Sequence, residues 1–347
     1  MKEGVSARQL AVAAFTGLLG PAAAVAGMDW RGALLAVPVV LTAARCWEVL
    51  GRDGGSWAAL RENGMGRVLA ALYLVWSVLV AGTVLADAGG RMAAPGGSDT
   101  GWVILLIWVP VLLLTRKSAA AYGRAAEIFY LGMLAALAFV LVMGSRQIRL
   151  ERLLGETEGL WGSFVSAAGV GCGAGAVLLL WRGEENEGGP RWIPWALALS
   201  VASLAMRVVT VGVLGPYLAQ GQERPFFLMT VGLGQTARVE GLAAAVWLLS
   251  DVTFAGLMLQ CGKGMWRELG LDERYGGWVA ALTTLGAALA LDRMSGAEVW
   301  MKVVLPRTTL VFGGGVPVLS CLLRRKNSAA LERKSKESQG KGQSKKR

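Results

Sequence analysis

Two glycine-rich interruptions in apolar stretches have the residue types to bind the charged ends of a small ligand. The first reads Phe15-Thr16-Gly17-Leu18-Leu19-Gly20-Pro21, and the second reads Gly169-Val170-Gly171-Cys172-Gly173-Ala174-Gly175. Proline has no backbone N–H, and glycine weakens a helix by about 1 kcal/mol relative to alanine. If both stretches unwind inside a membrane, their free N–H groups would bind a carboxylate and their carbonyls a cation or amine. The simpler alternative is that the glycines only let helices pack closely.

Twelve residues form the predicted ligand site. Eight belong to the two interruptions and would bind through the backbone, and four are side chains from other stretches that would shape a pocket around the rest of the ligand. The backbone positions are Thr16, Gly17, Gly20, Gly169, Val170, Gly171, Cys172 and Gly173, and the side chains are Tyr73, Trp76, Trp247 and Asp251.

Ionisable residues inside apolar stretches are a second set of candidates, because such groups are costly in a membrane and usually face a cavity or a partner. Arg207 and Asp251 lie in neighbouring stretches and could neutralise each other, which would fix helix register. Asp251 could instead bind a ligand amine or a coupling proton. Glu127 follows Arg124 closely and is expected at the inner interface.

The composition argues against an enzyme. The chain has no histidine, which removes histidine general bases, Ser-His-Asp triads and most zinc sites. Its four cysteines, Cys46, Cys172, Cys261 and Cys321, are far apart in sequence and are expected as small buried hydrophobic residues. No nucleophile–base set or metal constellation is apparent, so we expect no cofactor, no metal and no nucleic-acid partner.

The elements that must position these residues are ten apolar stretches, most of them long enough to cross a bilayer as one helix. Hydrophobic residues make up 54% of the chain and charged residues 17%, against about 25% charged in a soluble domain. The sequence therefore predicts an all-α polytopic membrane protein with a single bundle. Its predicted spans are residues 10–26, 32–50, 66–86, 101–115, 124–144, 160–181, 192–214, 238–262, 277–291 and 303–323.

The two interruptions fall in the first and sixth spans, five helices apart. Paired breaks at corresponding places indicate two inverted five-helix repeats, here residues 10–144 and 160–323, with broken helices at the start of each. Residues 324–347 contain ten Lys/Arg and two Glu and are predicted to be a disordered basic tail in the cytoplasm, where they would contact anionic lipid or only anchor the topology.

The distribution of basic residues predicts that both termini are cytoplasmic. Inner connections would be richer in Lys and Arg than outer ones once the tail is included. The outer connections would hold Arg31, Arg91, Arg146, Arg149, Arg152, Arg224 and Arg293.

Four stretches together resemble the endospore germination permeases, the B subunits of nutrient germinant receptors. Each stretch is short, but their order and spacing agree with that family over nearly the whole chain to about Leu271. In the family, a lysine often follows a Gly-Gly pair in helix 8, where this chain has Phe254 after Ser250-Asp251. The four stretches are Val5-Ser6-Ala7-Arg8-Gln9-Leu10, Arg124-Ala125-Ala126-Glu127, Val211-Gly212-Val213-Leu214-Gly215-Pro216 with Arg224-Pro225, and Arg238-Val239-Glu240 with Trp247.

The resemblance implies the amino acid–polyamine–organocation superfamily fold and a germinant-binding role in the inner membrane of a dormant spore. It also implies two partners, a larger A subunit and a lipoprotein C subunit. The expected function is therefore a membrane subunit that binds a small nutrient between helices 1, 3, 6 and 8 and triggers germination, and the expected nutrient is an amino acid. The alternatives are an amino acid/proton symporter of the same fold, with Asp251 or Glu127 carrying the proton, and a purely structural scaffold.

Overall fold

The computed structural model describes residues 5–52, 65–93, 97, 99–155, 159–180, 191–222, 224–233, 239–294 and 299–323. Every regular element among them is helical, and no strand occurs in these ranges. The predicted disordered tail, residues 324–347, lies outside the described residues.

A helix occupies each of the ten predicted apolar stretches. Among the described residues, three further short helices lie between them: α6 in the connection after the fifth stretch, and α9 and α10 between the seventh and eighth. The helices are α1 Ala7–Ala24, α2 Trp30–Arg52, α3 Met65–Ala93, α4 Thr100–Arg116, α5 Ala119–Ser145, α6 Leu150–Leu153, α7 Leu160–Gly173 with its 3₁₀ continuation Ala174–Leu179, α8 Ile193–Leu214, α9 Pro216–Gly221, α10 Pro225–Leu233, α11 Val239–Glu268, α12 Glu273–Arg293, and α13, which contains Trp300–Val304, Leu305–Thr309 and Leu310–Gly315 and continues to Leu323.

Seven helices among the described residues are long and apolar enough to cross a membrane. They are α2, α3, α5, α7, α8, α11 and α13. The helix α4 is shorter and apolar, and α1 and α12 fall outside this set. The all-helical class is therefore confirmed, whereas ten membrane crossings remain a prediction.

Local sequence explains where several helices begin. The Ser6 hydroxyl accepts from the Gln9 backbone N–H, and the Gln9 side chain accepts from the Ser6 backbone N–H, which forms a capping box at the start of α1. The side chains of Asp99 and Ser118 each accept from a backbone N–H in the first turn of the helix that follows, so they cap α4 and α5. Gly215, with φ of 87°, ends α8 in a conformation that only glycine adopts easily, and Pro216 then begins α9.

The core of the bundle is formed by α1, α7 and α11. Residues 10–23 of α1 are all buried, and the most apolar part of α7 is 83% buried and that of α11 is 78% buried, against 28% for α5. The helix α11 packs on α1, α3, α5 and α12, and α7 packs on α2 and α13. A helix that is apolar on all sides is expected at the centre of a bundle, because it has no face to give to water.

The predicted unwinding of the first span is wrong. The helix α1 is continuous from Ala7 to Ala24, with Pro21 inside it. In the sixth span the chain stays helical and only tightens, from α-helix to 3₁₀-helix after Gly173. The strongest irregularity lies instead in α13, where two π-helical stretches, Trp300–Val304 and Leu310–Gly315, flank an α-helical turn.

Candidate functional site

Four charged side chains form a buried cluster where α3, α10 and α11 meet. The guanidinium of Arg91 bonds to Asp251 Oδ2 and lies 3.0 Å from Asp87 Oδ2. Arg224 Nε lies 3.6 Å from the other oxygen of Asp87. Two arginines thus face two carboxylates, and the cluster has no net charge.

The burial of these side chains makes the pairing obligatory. The side chain of Asp251 is 3% exposed and that of Arg91 is 8% exposed. A buried charge costs several kcal/mol of desolvation, and only close pairing compensates for it. Asp87 and Arg91 are four residues apart on α3, which places them on the same face of that helix. Asp251 lies opposite them on α11.

The guanidinium of Arg224 packs directly against Gly90 of α3. A Cβ at Gly90 would lie 2.7 Å from Arg224 NH2. Arg224 directly precedes α10 and is one quarter exposed, so it is the member of the cluster nearest to solvent. Any movement of α10 would therefore change the charge balance around Asp87.

Aromatic side chains form the apolar wall beside the charges. Trp247 on α11 stacks on Phe226 of α10, with ring centroids 4.6 Å apart and planes inclined by 29°. These two rings, with Asp87, Arg91 and Arg224, line a cavity of about 20 Å³. That volume is about one water molecule, so this conformation of the cluster is closed.

Ser250, beside Asp251, ties α11 to the first glycine interruption. Its hydroxyl lies 2.7 Å from the Thr16 carbonyl oxygen and 3.0 Å from that of Gly17, and it accepts from the Gly20 N–H at 2.7 Å. In a helix the Gly17 carbonyl would accept from residue 21, but Pro21 has no N–H to donate. Ser250 therefore occupies the backbone groups that the sequence assigned to a ligand.

The glycines of α1 also serve close packing. A Cβ at Gly17 would lie 2.9 Å from the Phe254 Cα, and a Cβ at Gly20 would overlap Asp251 Oδ1. Thr16 is fully buried, and its hydroxyl has no hydrogen-bond partner among the described residues. The alternative interpretation, that these glycines permit helix contact, holds for Gly17 and Gly20.

Two predicted pocket residues lie in a different region. Tyr73 and Trp76 pack edge to face on α3 and both contact Phe312 of α13. The Tyr73 hydroxyl donates to the Phe312 carbonyl at 2.6 Å, inside a π-helical stretch of α13. Trp76 and Asp87 are separated by about 17 Å along α3 at 1.5 Å per residue. The structure therefore does not bring the Tyr73–Trp76 pair to the charged cluster.

The second glycine interruption is a packing seam. A Cβ at Gly169 would overlap the Pro306 carbonyl, one at Gly171 would lie 2.5 Å from a methyl of Val40, and one at Gly173 would lie 2.9 Å from a methyl of Leu18. Val170 and Cys172 are buried in the same seam. These five residues lie against α1, α2 and α13 and not beside the charged cluster. The predicted twelve-residue site thus divides into three regions, and Thr16, Gly17, Gly20, Trp247 and Asp251 share the one around Ser250.

The predicted neutralisation of Arg207 by Asp251 is wrong. Asp251 pairs with Arg91, which the sequence had suggested for an outer connection. Arg207 is fully buried and donates from NH1 to the Ser163 hydroxyl at 2.5 Å and to the Asp29 carbonyl at 3.5 Å. Sequence spacing cannot identify such partners, because Arg91 and Asp251 are 160 residues apart.

Sequence reasoning also missed Ser250, Asp87 and Arg224. The available signal for Ser250 was Pro21, which leaves a carbonyl four residues earlier without its helical donor. The signal for Asp87 and Arg91 was their spacing of four at the end of an apolar run.

Seven apolar helices and a buried charged cluster are compatible with a multi-pass helical membrane protein. No protein-family model matches this chain, and no curated protein matches it.

Proposed function

We propose that this chain is the membrane subunit of a nutrient germinant receptor of the spore inner membrane, acting with an A subunit and a lipoprotein C subunit. The observation that carries the proposal is that residues in or directly beside the four family-like stretches contact one another in pairs. Gln9 and Arg8 of the first stretch approach Glu127 of the second, at 3.5 Å and 3.9 Å. Trp247 of the fourth stacks on Phe226, which directly follows Pro225 of the third.

These contacts give the sequence pattern a physical reason. Residues that must meet across a bundle constrain one another in type, whereas an accidental match of short patterns has no reason to converge in space. Gly215-Pro216 in the third stretch adds a further structural requirement, because it forms the turn from α8 to α9.

The contacts between helices also favour the two-repeat arrangement. In that arrangement, α1, α2, α3, α4 and α5 correspond to α7, α8, α11, α12 and α13. Under this correspondence, four contacts each have a counterpart, and all eight pairs of helices are in contact. The matched contacts are α3·α4 with α11·α12, α3·α12 with α11·α4, α1·α5 with α7·α13, and α1·α8 with α7·α2. Three further contacts join a helix to its own counterpart in the other repeat, and these are α2·α8, α3·α11 and α4·α12. The close α1·α11 contact has no comparable α3·α7 counterpart, so the two halves differ in conformation.

The ligand class follows from the charged cluster. A free amino acid carries one carboxylate and one ammonium, which would take Arg91 and Arg224 on one side and Asp251 and Asp87 on the other. Trp247 and Phe226 would cover an apolar side chain. Because the cavity in this conformation is only about 20 Å³, the ligand must exchange for the internal ion pairs and displace α10. That displacement would be the signal passed to the partner subunits.

The test is nutrient-triggered germination of spores that carry this chain with its A and C partners. Asp251→Asn keeps the side-chain volume and removes the charge that would bind the ligand ammonium, so we expect the response to an amino-acid panel to be lost or shifted to at least tenfold higher concentration. Glu151→Gln, at an exposed residue of α6, is the matched control. An unchanged concentration dependence in Asp251→Asn, with normal protein level, would refute this site.

An amino acid/proton symporter is the second candidate, and the shared pairing of Asp87 and Asp251 on one arginine favours it. Two carboxylates that compete for Arg91 could exchange a proton as the ligand binds. The full chain in liposomes should then accumulate a labelled amino acid when the pH gradient is imposed. Absence of uptake across a broad amino-acid panel would remove this candidate and leave the receptor.

A further inference from the structure

The indole N–H of Trp247 is an unused donor beside the charged cluster. Trp247 is 7% exposed and lines the cavity of about 20 Å³. Its Nε1 atom is buried and has no hydrogen-bond partner among the described residues. A buried tryptophan N–H usually has an acceptor, because a buried donor without one loses its hydrogen bond to water and gains nothing in return. An acceptor that enters this cavity would remove that cost.

The stack of Trp247 on Phe226 leaves this N–H available to a ligand. The two rings are nearly parallel, at 29° and with centroids 4.6 Å apart, so Phe226 covers the face of the indole. The N–H lies in the plane of the indole and therefore points out at the ring edge. Trp76 and Trp192 also have buried N–H groups without a partner among the described residues, but neither lines this cavity.

Arg224 supplies a second unused donor at the same cavity. Its Nε lies 3.6 Å from Asp87 Oδ1, which is beyond the usual range of an N–H···O hydrogen bond. That Nε has no hydrogen-bond partner among the described residues. Arg91, in contrast, bonds to Asp251 and lies 3.0 Å from Asp87. Arg224 is thus the arginine that an incoming anion can bind with the smaller loss of existing contacts.

These two donors stand out among the groups around the cavity. Among the described residues that line it, Trp247 and Arg224 are the ones with a buried side-chain nitrogen that lacks a hydrogen-bond partner. The hydroxyl of Thr230, which also lines it, already donates to the Phe227 carbonyl at 2.7 Å. One unused donor is neutral and one is cationic, and a carboxylate has two oxygens that only accept. Each oxygen could therefore accept from one of them.

We propose that the carboxylate of the amino-acid ligand binds between the Arg224 guanidinium and the Trp247 indole N–H. This inference rests on the proposed function, since it takes a free amino acid as the ligand of the charged cluster. It adds which arginine binds the carboxylate, and it makes Trp247 a residue that determines specificity for a carboxylate. Arg224 directly precedes α10 and Trp247 lies on α11, so the bound carboxylate connects these two helices while Arg224 exchanges Asp87 for the ligand.

The experiment titrates the full chain, in nanodiscs of zwitterionic lipid, with L-valine and with isobutylamine, which is valine without its carboxylate. Trp247→Phe keeps a ring beside Phe226 and removes the N–H. We expect it to weaken L-valine binding by about tenfold or more, because it removes a charge-assisted hydrogen bond. Isobutylamine has no acceptor for that N–H, so its affinity should change by no more than a few-fold. Equal weakening of both probes would show that only packing was lost and would overturn the proposal.

Trp161→Phe is the matched control for the loss of an indole. Trp161 of α7 also stacks on a phenylalanine, Phe164, with centroids 5.1 Å apart and planes inclined by 22°. It is 73% exposed and does not line the cavity. L-valine should bind to the Trp161→Phe protein as it does to the unsubstituted chain. A tenfold loss in this control would overturn the assignment to Trp247.

Arg224→Gln tests the second donor and does not depend on the fold of the tryptophan variant. Asp87 still has Arg91 at 3.0 Å, so the cluster keeps its internal pairing. We expect weaker L-valine binding, by about tenfold or more, and no weakening of isobutylamine binding. Unchanged L-valine affinity in both variants would overturn this inference alone. Absence of L-valine binding by the unsubstituted chain would instead count against the proposed ligand class, and this inference would fall with it.

Discussion

The hydroxyl of Ser250 lies 3.0 Å from the carbonyl oxygen of Gly17, the acceptor that Pro21 leaves without a helical donor. A serine from α11 thereby allows α1 to remain a continuous helix through a Gly-x-x-Gly-Pro sequence. The same arrangement recurs at Pro306 of α13, where the Ser166 hydroxyl approaches the Lys302 carbonyl, four residues before the proline, at 3.4 Å.

Ser250→Ala should lower the free energy of unfolding by about 1–3 kcal/mol, because it leaves the Gly17 carbonyl buried and unpaired. In a Pro21→Ala background the chain regains an N–H at residue 21, so the cost of Ser250→Ala should fall. Thermal unfolding of the unsubstituted protein, the two single variants and the double variant measures this double-mutant cycle. Ser200→Ala is the control, since that hydroxyl bonds only within α8. Fully additive effects would show that Ser250 does not replace the missing donor.

Arg91→Met should destabilise the protein more than Asp251→Ala. The methionine leaves Asp251 buried beside no described cation, at a cost of about 3–5 kcal/mol. After Asp251→Ala, Arg91 still pairs with Asp87 at 3.0 Å. The double variant should cost less than the sum of the two single changes. The three variants are compared by their unfolding midpoints in one detergent. A larger loss of stability for Asp251→Ala than for Arg91→Met would contradict the assigned pairing.

Gly17→Ala should destabilise the bundle, whereas Gly132→Ala should not. A Cβ at Gly17 would meet the Phe254 backbone at 2.9 Å, so α1 and α11 must move apart. A Cβ at Gly132 of α5 meets no atom within 4 Å, and alanine favours the helix there by about 1 kcal/mol. Melting temperatures of the two variants measure the difference. Equal tolerance at both positions would favour an open interruption in α1.

Tyr73→Phe tests whether the ligand binds at the charged cluster or beside the Tyr73–Trp76 pair. The change removes one hydrogen bond to the Phe312 carbonyl, so we expect a loss of stability of about 1 kcal/mol. Under the proposed site, the nutrient concentration that gives half-maximal germination should stay the same. A shift of that concentration comparable to that of Asp251→Asn would return the ligand to the Tyr73–Trp76 region.

Much of the secondary structure follows from local sequence. All ten apolar stretches are helical. For the seven that are long and apolar enough to cross a membrane, a helix is the form that satisfies the backbone hydrogen bonds internally. Helix starts at Ser6, Asp99 and Ser118 follow from side chains that cap the first turn. Burial of Asp251 and Arg207 was also predictable from their position inside apolar runs.

The sequence by itself thus determined the helices of this protein and the burial of Asp251 and Arg207, but not the burial of Arg91. Only the tertiary structure decided which partner each buried group meets: Arg91 for Asp251, Ser163 for Arg207, and Ser250 for the backbone of α1. The physical reason is that helix formation depends on neighbours within one turn, whereas a charge or a freed carbonyl accepts any suitable group that packing brings within about 3 Å. A glycine next to a proline looks the same whether a ligand or a serine fills the gap.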